Sequence, residues 1–208
     1  MISFVASERE TAGALDRARA AGIATGVIDA PLDSDAILSL LETAKTDVLV
    51  LAGYMKLVPE AVVRAFRGRL LNVHPSLLPS FGGPGMYGLR IHQAVLEHGA
   101  TLTGVTVHFV DEQFDRGPII AQWPVPVLPG DDAALLAARV LRTEHRLLPL
   151  CVAAVASGAI VLGEDGRVHG HLDIPVSVHA PDWRFALAED PAGPSPDFPS
   201  DVARLFPR

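Results

Sequence analysis

Apolar positions along the chain fall into short unbroken runs separated by stretches with a helical repeat. Residues 2–5 form the first run, and a helical stretch over residues 11–20 follows, stopped by Gly22. Residues 25–28 read as a second short strand. Pro31, Asp33 and Ser34 then supply the breaker and N-cap for a helix that carries Ile37, Leu40, Leu41 and Ala44 on one face. Residues 48–55 (VLVLAGYM) are continuously apolar, the pattern of a strand buried on both faces in a parallel sheet. Pro59 opens a helix to about Phe66, and residues 69–73 are the next strand. A strand at 102–109 and another at 119–127 flank an acidic loop over 110–117, with a helix predicted at 89–98.

Asp131 and Asp132 head a long helix with Arg139, Arg142 and Arg146 on its polar side, an arrangement that suits the helix dipole. The apolar stretch from 147 to 163 contains Pro149, Ser157 and Gly158, so it reads as a buried helix end, a turn and a strand rather than a bilayer span. A hairpin is expected at 163–168. Alternating strands and helices of these lengths predict an α/β fold, Rossmann-like, with a mostly parallel sheet flanked by helices. Residues 1–170 make one domain without internal repeats, and residues 171–208 a Pro-rich, irregular C-terminal tail.

Composition narrows the function. The 208 residues carry 24 acidic and 17 basic side chains, a formal charge of −7, without a Lys/Arg block. Such a surface does not suit nucleic acid or an anionic membrane, which are bound by neutralising phosphates. The single cysteine, Cys151, leaves no partner for an internal disulfide and fits a reducing compartment. The apolar run at the start is too short for a secretory signal, so a cytoplasmic location is expected.

The chemistry concentrates after the strand at 69–73. Residues 74–88 form a long Pro- and Gly-rich loop, and loops of that length in compact domains are usually functional. Asn72 and His74, two apart on an extended backbone, point to the same side, and Asp115 lies in the loop leaving a neighbouring strand. In an open parallel sheet, ligands bind at such strand ends. An amide donor for an oxyanion, an imidazole that moves a proton near neutral pH and a carboxylate that orients it would suit acyl transfer to an amine. Taken singly, each could equally be structural: Asn72 satisfying backbone groups, His74 buried, Asp115 making a turn. Thr106 and His108 share a strand face, and His92 sits on the helix at 89–98 that precedes that strand, either near a ligand mouth or on the surface. His169 and His171 lack a third metal ligand nearby, and a surface hairpin accounts for them.

Residues 71–81 (LNVHPSLLPSF) together with residues 105–117 (VTVHFVDEQFDRG) resemble the folate-dependent formyltransferases, most closely the branch that formylates glycinamide ribonucleotide in purine synthesis. The resemblance runs from about residue 2 to 168. It implies that Asn72, His74 and Asp115 occupy catalytic positions, and that 10-formyltetrahydrofolate donates the formyl group to the amine of 5-phosphoribosylglycinamide by direct attack. Asn72 and a protonated His74 would stabilise the oxyanion, while Asp115 would hold His74 and a water that relays the proton. The pterin would lie against Met55, Leu57 and Val58 and bond to the loop that includes Val110, Asp111 and Asp115. Glu144 would meet the acceptor's ribose, and Thr106 and His108 would support the site. On spacing alone, the three apolar residues could also be core, and Glu144 a solvated helix residue. No metal is implied, and the partners are small molecules rather than nucleic acid or membrane, with a monomer or homodimer expected.

The family begins with a strand, a Gly-rich loop of G-x-G-S-N type that holds the acceptor's phosphate, and a helix. Met1 aligns with the family's second strand, so the expectation is of an N-terminally truncated chain: either the start lies too late in the reading frame, or the shortening is genuine. Alternatives are another folate-dependent formyltransferase, a formyltetrahydrofolate hydrolase, or a non-catalytic folate-binding paralogue.

Overall fold

The protein is described by a computed structural model covering residues 1–28 and 33–172. The expected breaker Pro31 and the Pro-rich tail from 173 onward lie outside the described residues. Strand β1 (Phe4–Ser7), helix α1 (Gly13–Ala20) and strand β2 (Ala24–Val27) form the first unit, in which the two strands pair in parallel. Leu15 and Ala18, three apart on α1, are the buried positions that pack it on this pair.

Helix α2 (Ser34–Thr43) begins where the sequence places its cap: the Asp33 carboxylate accepts the Asp35 N–H at 3.1 Å. It packs against α3 (Glu60–Ala65), and between them in the chain runs β3 (Leu49–Leu51). The expected strand over 48–55 is thus shorter. Gly53, at φ +73°, takes a left-handed conformation that turns the chain out of the sheet.

From there the pairing changes hand. Strand β4 (Leu70–His74) lies parallel to β3, but β5 (Leu102–Phe109) runs antiparallel to β4, and β6 (Ile119–Pro126) antiparallel to β5. The sheet order is β3-β4-β5-β6, separate from the β1-β2 pair. The α/β architecture is as expected, while parallel pairing is confined to β1-β2 and β3-β4 among the described residues. Strand β5 misleads because it is buried along almost its whole length, which removes the alternation that marks an antiparallel strand with one wet face.

Helix α4 (Leu89–Glu97) and the long helix α5 (Ala133–Ala156) cover the β5 region, and α5 packs on β5 and β6. The core between them holds Val105, Val107, Phe109, Leu136, Val140 and Leu147. Asp132 caps α5 by accepting the Leu135 N–H at 2.7 Å. Arg139 is not solely on a polar face: it makes a two-pronged contact with Asp131 at 2.6 and 2.7 Å, and its side chain is 14% exposed against 4% for Asp131. The helix continues through Pro149 to residue 156 and gives way to the antiparallel hairpin β7 (Ile160–Leu162) and β8 (Val168–Gly170). Cys151 is buried in this layer, and burial pushes its thiol up to about 12, so it is held as an unreactive thiol. Among the described residues no helix is long and apolar enough to cross a membrane.

Candidate active site

Strands β4 and β5 place the chemistry. In their antiparallel register Asn72 faces His108, and His74 faces Thr106. Directly opposite residues share a sheet face, so four polar side chains meet at one end of the pair. Asn72 Nδ2 lies 3.2 Å from His108 Nε2, and His108 Nδ1 lies 2.7 Å from its neighbour's carbonyl, Phe109 O.

Asp115 enters from the loop after β5. Its Oδ2 is 3.5 Å from His74 Nδ1 and accepts the Gly83 N–H at 2.9 Å, while Oδ1 is 3.7 Å from His108 Nε2. The loop can return this closely because residue 117 is glycine. A Cβ there would collide with the Phe109 carbonyl oxygen, and the backbone closes with Phe109 N–H on Pro118 O at 2.9 Å. Asp115 itself sits at φ +55°, a left-handed conformation that Asp tolerates better than most residues.

The electrostatics follow from burial and these contacts. Burial pushes the Asp115 carboxyl up, but the His108 ring, when it carries a proton toward the carboxylate, the Gly83 N–H and a protonated His74 outweigh it and hold the group below the usual carboxylate range. His74 is lowered as well, but here by burial itself. Burial disfavours its charged form, and this outweighs the opposing effects of Asp115 and of the Phe81 carbonyl, with His108 adding to the lowering. Burial thus opposes a protonated His74 while Asp115 favours it.

His74 Nε2 lies 2.9 Å from Phe81 O, a carbonyl that can only accept, so the ring carries its hydrogen on Nε2. Phe81 is at φ +56°, and its ring packs edge-on against His98 at 5.5 Å. The remaining lone pair of neutral His74, on Nδ1, faces Asp115. An imidazole in that state is poised to take a proton at Nδ1 and to have the resulting charge matched by the carboxylate.

The supporting residues divide by contact. Thr106 is buried and holds the loop rather than the reacting centre: its hydroxyl donates to Ser76 O at 2.7 Å and accepts from Leu78 N–H and from Gln122 Nε2, each at 3.0 Å. Gln122 also donates to Leu78 O at 2.9 Å. Neither Gln122 nor Phe81 stands out in the sequence; the cross-strand pairing of Thr106 with Gln122 is the only signal for the former. The surface reading of His92 is overturned. It is buried, its Nδ1 has no hydrogen-bond partner among the described residues, and burial, with His74 as the second cause, pushes its pKa down.

Of the three apolar residues expected against a pterin, Met55 and Leu57 are exposed and Val58 is buried in the cluster with Val62, Phe66 and Leu70. Val110 packs against that same cluster and donates its N–H to Leu70 O at 2.9 Å; the Asp111 carboxylate accepts the Gln113 N–H at 2.9 Å. Glu144, on α5, is half-buried, and burial raises its pKa. His169 pairs with Asp165 across the hairpin at 3.0 Å, away from these groups in the chain. No cluster of three or more His, Cys, Asp or Glu suited to a metal ion occurs among the described residues.

Comparison with known proteins adds to this geometry. The formyl transferase family model matches residues 1–152. The chain is 48% identical over 130 residues to a chloroplastic phosphoribosylglycinamide formyltransferase of Vigna unguiculata, an alignment covering 62% of this chain and 42% of that protein. The chain thus spans less than half the length of that relative. The phosphoribosylglycinamide formyltransferase of Escherichia coli (strain K12) is 39% identical over 170 residues, covering 79% of this chain and 78% of that protein. Among solved structures, the phosphoribosylglycinamide formyltransferase from Anaplasma phagocytophilum superposes with a TM-score of 0.76 at 38% identity, covering 84% of this chain and 83% of the other.

Proposed function

The chain belongs to the formyl transferase family, and we propose that it transfers a formyl group from 10-formyltetrahydrofolate to the amine of 5-phosphoribosylglycinamide. The observation that carries this reading is the meeting of Asn72, His74, His108 and Asp115 at the paired ends of β4 and β5 in a chain of that family. The amine attacks the formyl carbon, a carbon–nitrogen bond forms to the acceptor, and the bond to the folate nitrogen breaks. One proton leaves the attacking amine and one arrives on the departing nitrogen.

Asn72 donates an N–H to the oxygen that becomes negative during the attack, a contact whose removal in comparable sites costs about a hundredfold or more in rate. His74 takes the amine proton at Nδ1 and then returns it to the departing nitrogen. Asp115, already ionised and 3.5 Å away, lowers the energy of the imidazolium in between. Met55 and Leu57, the exposed apolar pair, and the backbone of Val110 and Asp111 hold the pterin, with Val58 shaping that surface from beneath. Glu144 meets the acceptor's ribose.

The test is to supply 10-formyltetrahydrofolate with and without 5-phosphoribosylglycinamide and to measure formylated ribonucleotide, free formate and folate affinity on one sample. Formylated ribonucleotide, with little formate in its absence, is the expected result. Formate release regardless of acceptor would replace the transferase reading by a hydrolase. Folate binding with neither product would make the chain a binding module.

A further inference from the structure

His108 is 1% exposed, and its two ring nitrogens face different kinds of group. Nδ1 is 2.7 Å from Phe109 O, which has lone pairs and no hydrogen, so Nδ1 carries the ring hydrogen. In neutral imidazole the other nitrogen then has a lone pair. That nitrogen, Nε2, is 3.2 Å from Asn72 Nδ2 and 3.7 Å from Asp115 Oδ1; the first is within hydrogen-bonding distance and the second beyond it. A lone pair can accept an amide N–H but cannot bond to a carboxylate oxygen. Neutral His108 therefore binds the NH2 end of the Asn72 amide.

We infer that His108 is the positioning residue that decides which end of the Asn72 amide is offered to the reacting carbonyl. The inference rests on the reading of Asn72 as the oxyanion donor. With one Nδ2 hydrogen held by His108 Nε2, the NH2 group is fixed on the reaction side and its second hydrogen is left for the developing oxyanion. If His108 carried a hydrogen on Nε2, Asn72 would turn its carbonyl toward the ring, swinging its NH2 away and removing the donor. The two residues are directly opposed across β4 and β5, so the bond is built into the strand register rather than into a mobile loop.

Two measurements test this, one of them independent of turnover. In 15N-labelled protein near neutral pH, the His108 nitrogens should read as a protonated Nδ1 and an unprotonated, hydrogen-bonded Nε2, whether or not any acceptor is formylated. An Nε2-protonated tautomer, or an imidazolium, would overturn the inference even in an inactive protein. In the active protein His108→Met, which keeps the bulk and loses the acceptor, should lower kcat by about ten- to a hundredfold with folate affinity unchanged. His108→Gln, whose side-chain oxygen can accept the same N–H, should recover most of that loss. In an Asn72→Ala background, His108→Met should change kcat by no more than about twofold. An equal loss in that background would mean that His108 acts on something other than Asn72 and would sink the proposal while leaving the formyl-transfer reading intact.

Discussion

His74 Nδ1 and Asp115 Oδ2 stand 3.5 Å apart, with the two side chains 5% and 12% exposed; burial pushes the imidazole's pKa down, and the carboxyl is held below the usual carboxylate range. That pairing stores an electrostatic preference that is realised only when the ring gains a proton. Substitution of Asp115 by Asn keeps the shape and removes the charge, so the imidazolium loses its counter-ion. The rate should fall by about tenfold or more with folate affinity little changed, as read by steady-state kinetics beside a binding titration. Loss of folate binding with an unaltered rate would make Asp115 a pocket residue instead.

Alanine at Asn72 or His74 removes the group proposed as oxyanion donor or as proton acceptor. Each variant should lower formyl transfer by at least about a hundredfold while the far-ultraviolet circular dichroism stays that of the parent. Near-normal turnover in either would remove that residue from the mechanism.

Stability should depend on pH in two windows. His74 and His92 are held neutral by burial, so their folded pKa values lie below the unfolded value of about 6.5. The unfolded chain binds more protons there, and stability rises with pH: their contribution is full above the unfolded pKa and is lost as pH falls through the folded ones. Asp115 and Asp131 have depressed pKa values, so their contribution is present above about pH 3.9 and is lost at more acidic pH. Urea midpoints should therefore be lower at pH 5.5 than at pH 7.5. His92→Leu, which removes a titrating ring with an orphaned Nδ1, should narrow that difference; an unchanged gap would exclude His92 as a source of it.

The Asp131–Arg139 pair ties the turn before α5 to the second turn of that helix. Asp131→Ala leaves a largely buried guanidinium without its carboxylate and should lower the unfolding free energy by about 3 kcal/mol. Replacing both residues together, Asp131→Leu with Arg139→Met, should cost less than the single change. Chemical denaturation of the two variants decides this, and a larger loss in the double variant would contradict it.

The sequence made some of this legible and hid the rest for physical reasons. Helix starts at Asp33 and Asp132 could be read because a cap is a local contact, a side-chain oxygen on an N–H two or three residues on. Asn72 and His74 could be paired because alternation along a strand is also local. The reversal of direction at β5 was hidden, since its residues from Thr103 onward are all buried and so share the pattern of a parallel strand. Phe81 and Gln122 were hidden too: one acts through its backbone carbonyl, which any residue type supplies, and the other through a contact across two strands. Val58 looked like its exposed neighbours Met55 and Leu57, because composition does not tell which apolar residue in a run turns inward.

The β4–β5 register carries a consequence for how this chain tolerates change. Side chains alternate along a strand, so sliding β5 by one residue against β4 would set Val107 or Phe109 against Asn72 and take His108 to the other face. The irregularity between Val107 and His108 falls on the β5–β6 pairing, leaving the β4 side unbroken across this point. A single-residue insertion or deletion within β5 thus dismantles the facing pair Asn72–His108, whereas β6 already accommodates an extra residue. Lengthening is expected to be survivable in β6, which already carries an extra residue opposite Val107–His108, and ruinous in β5.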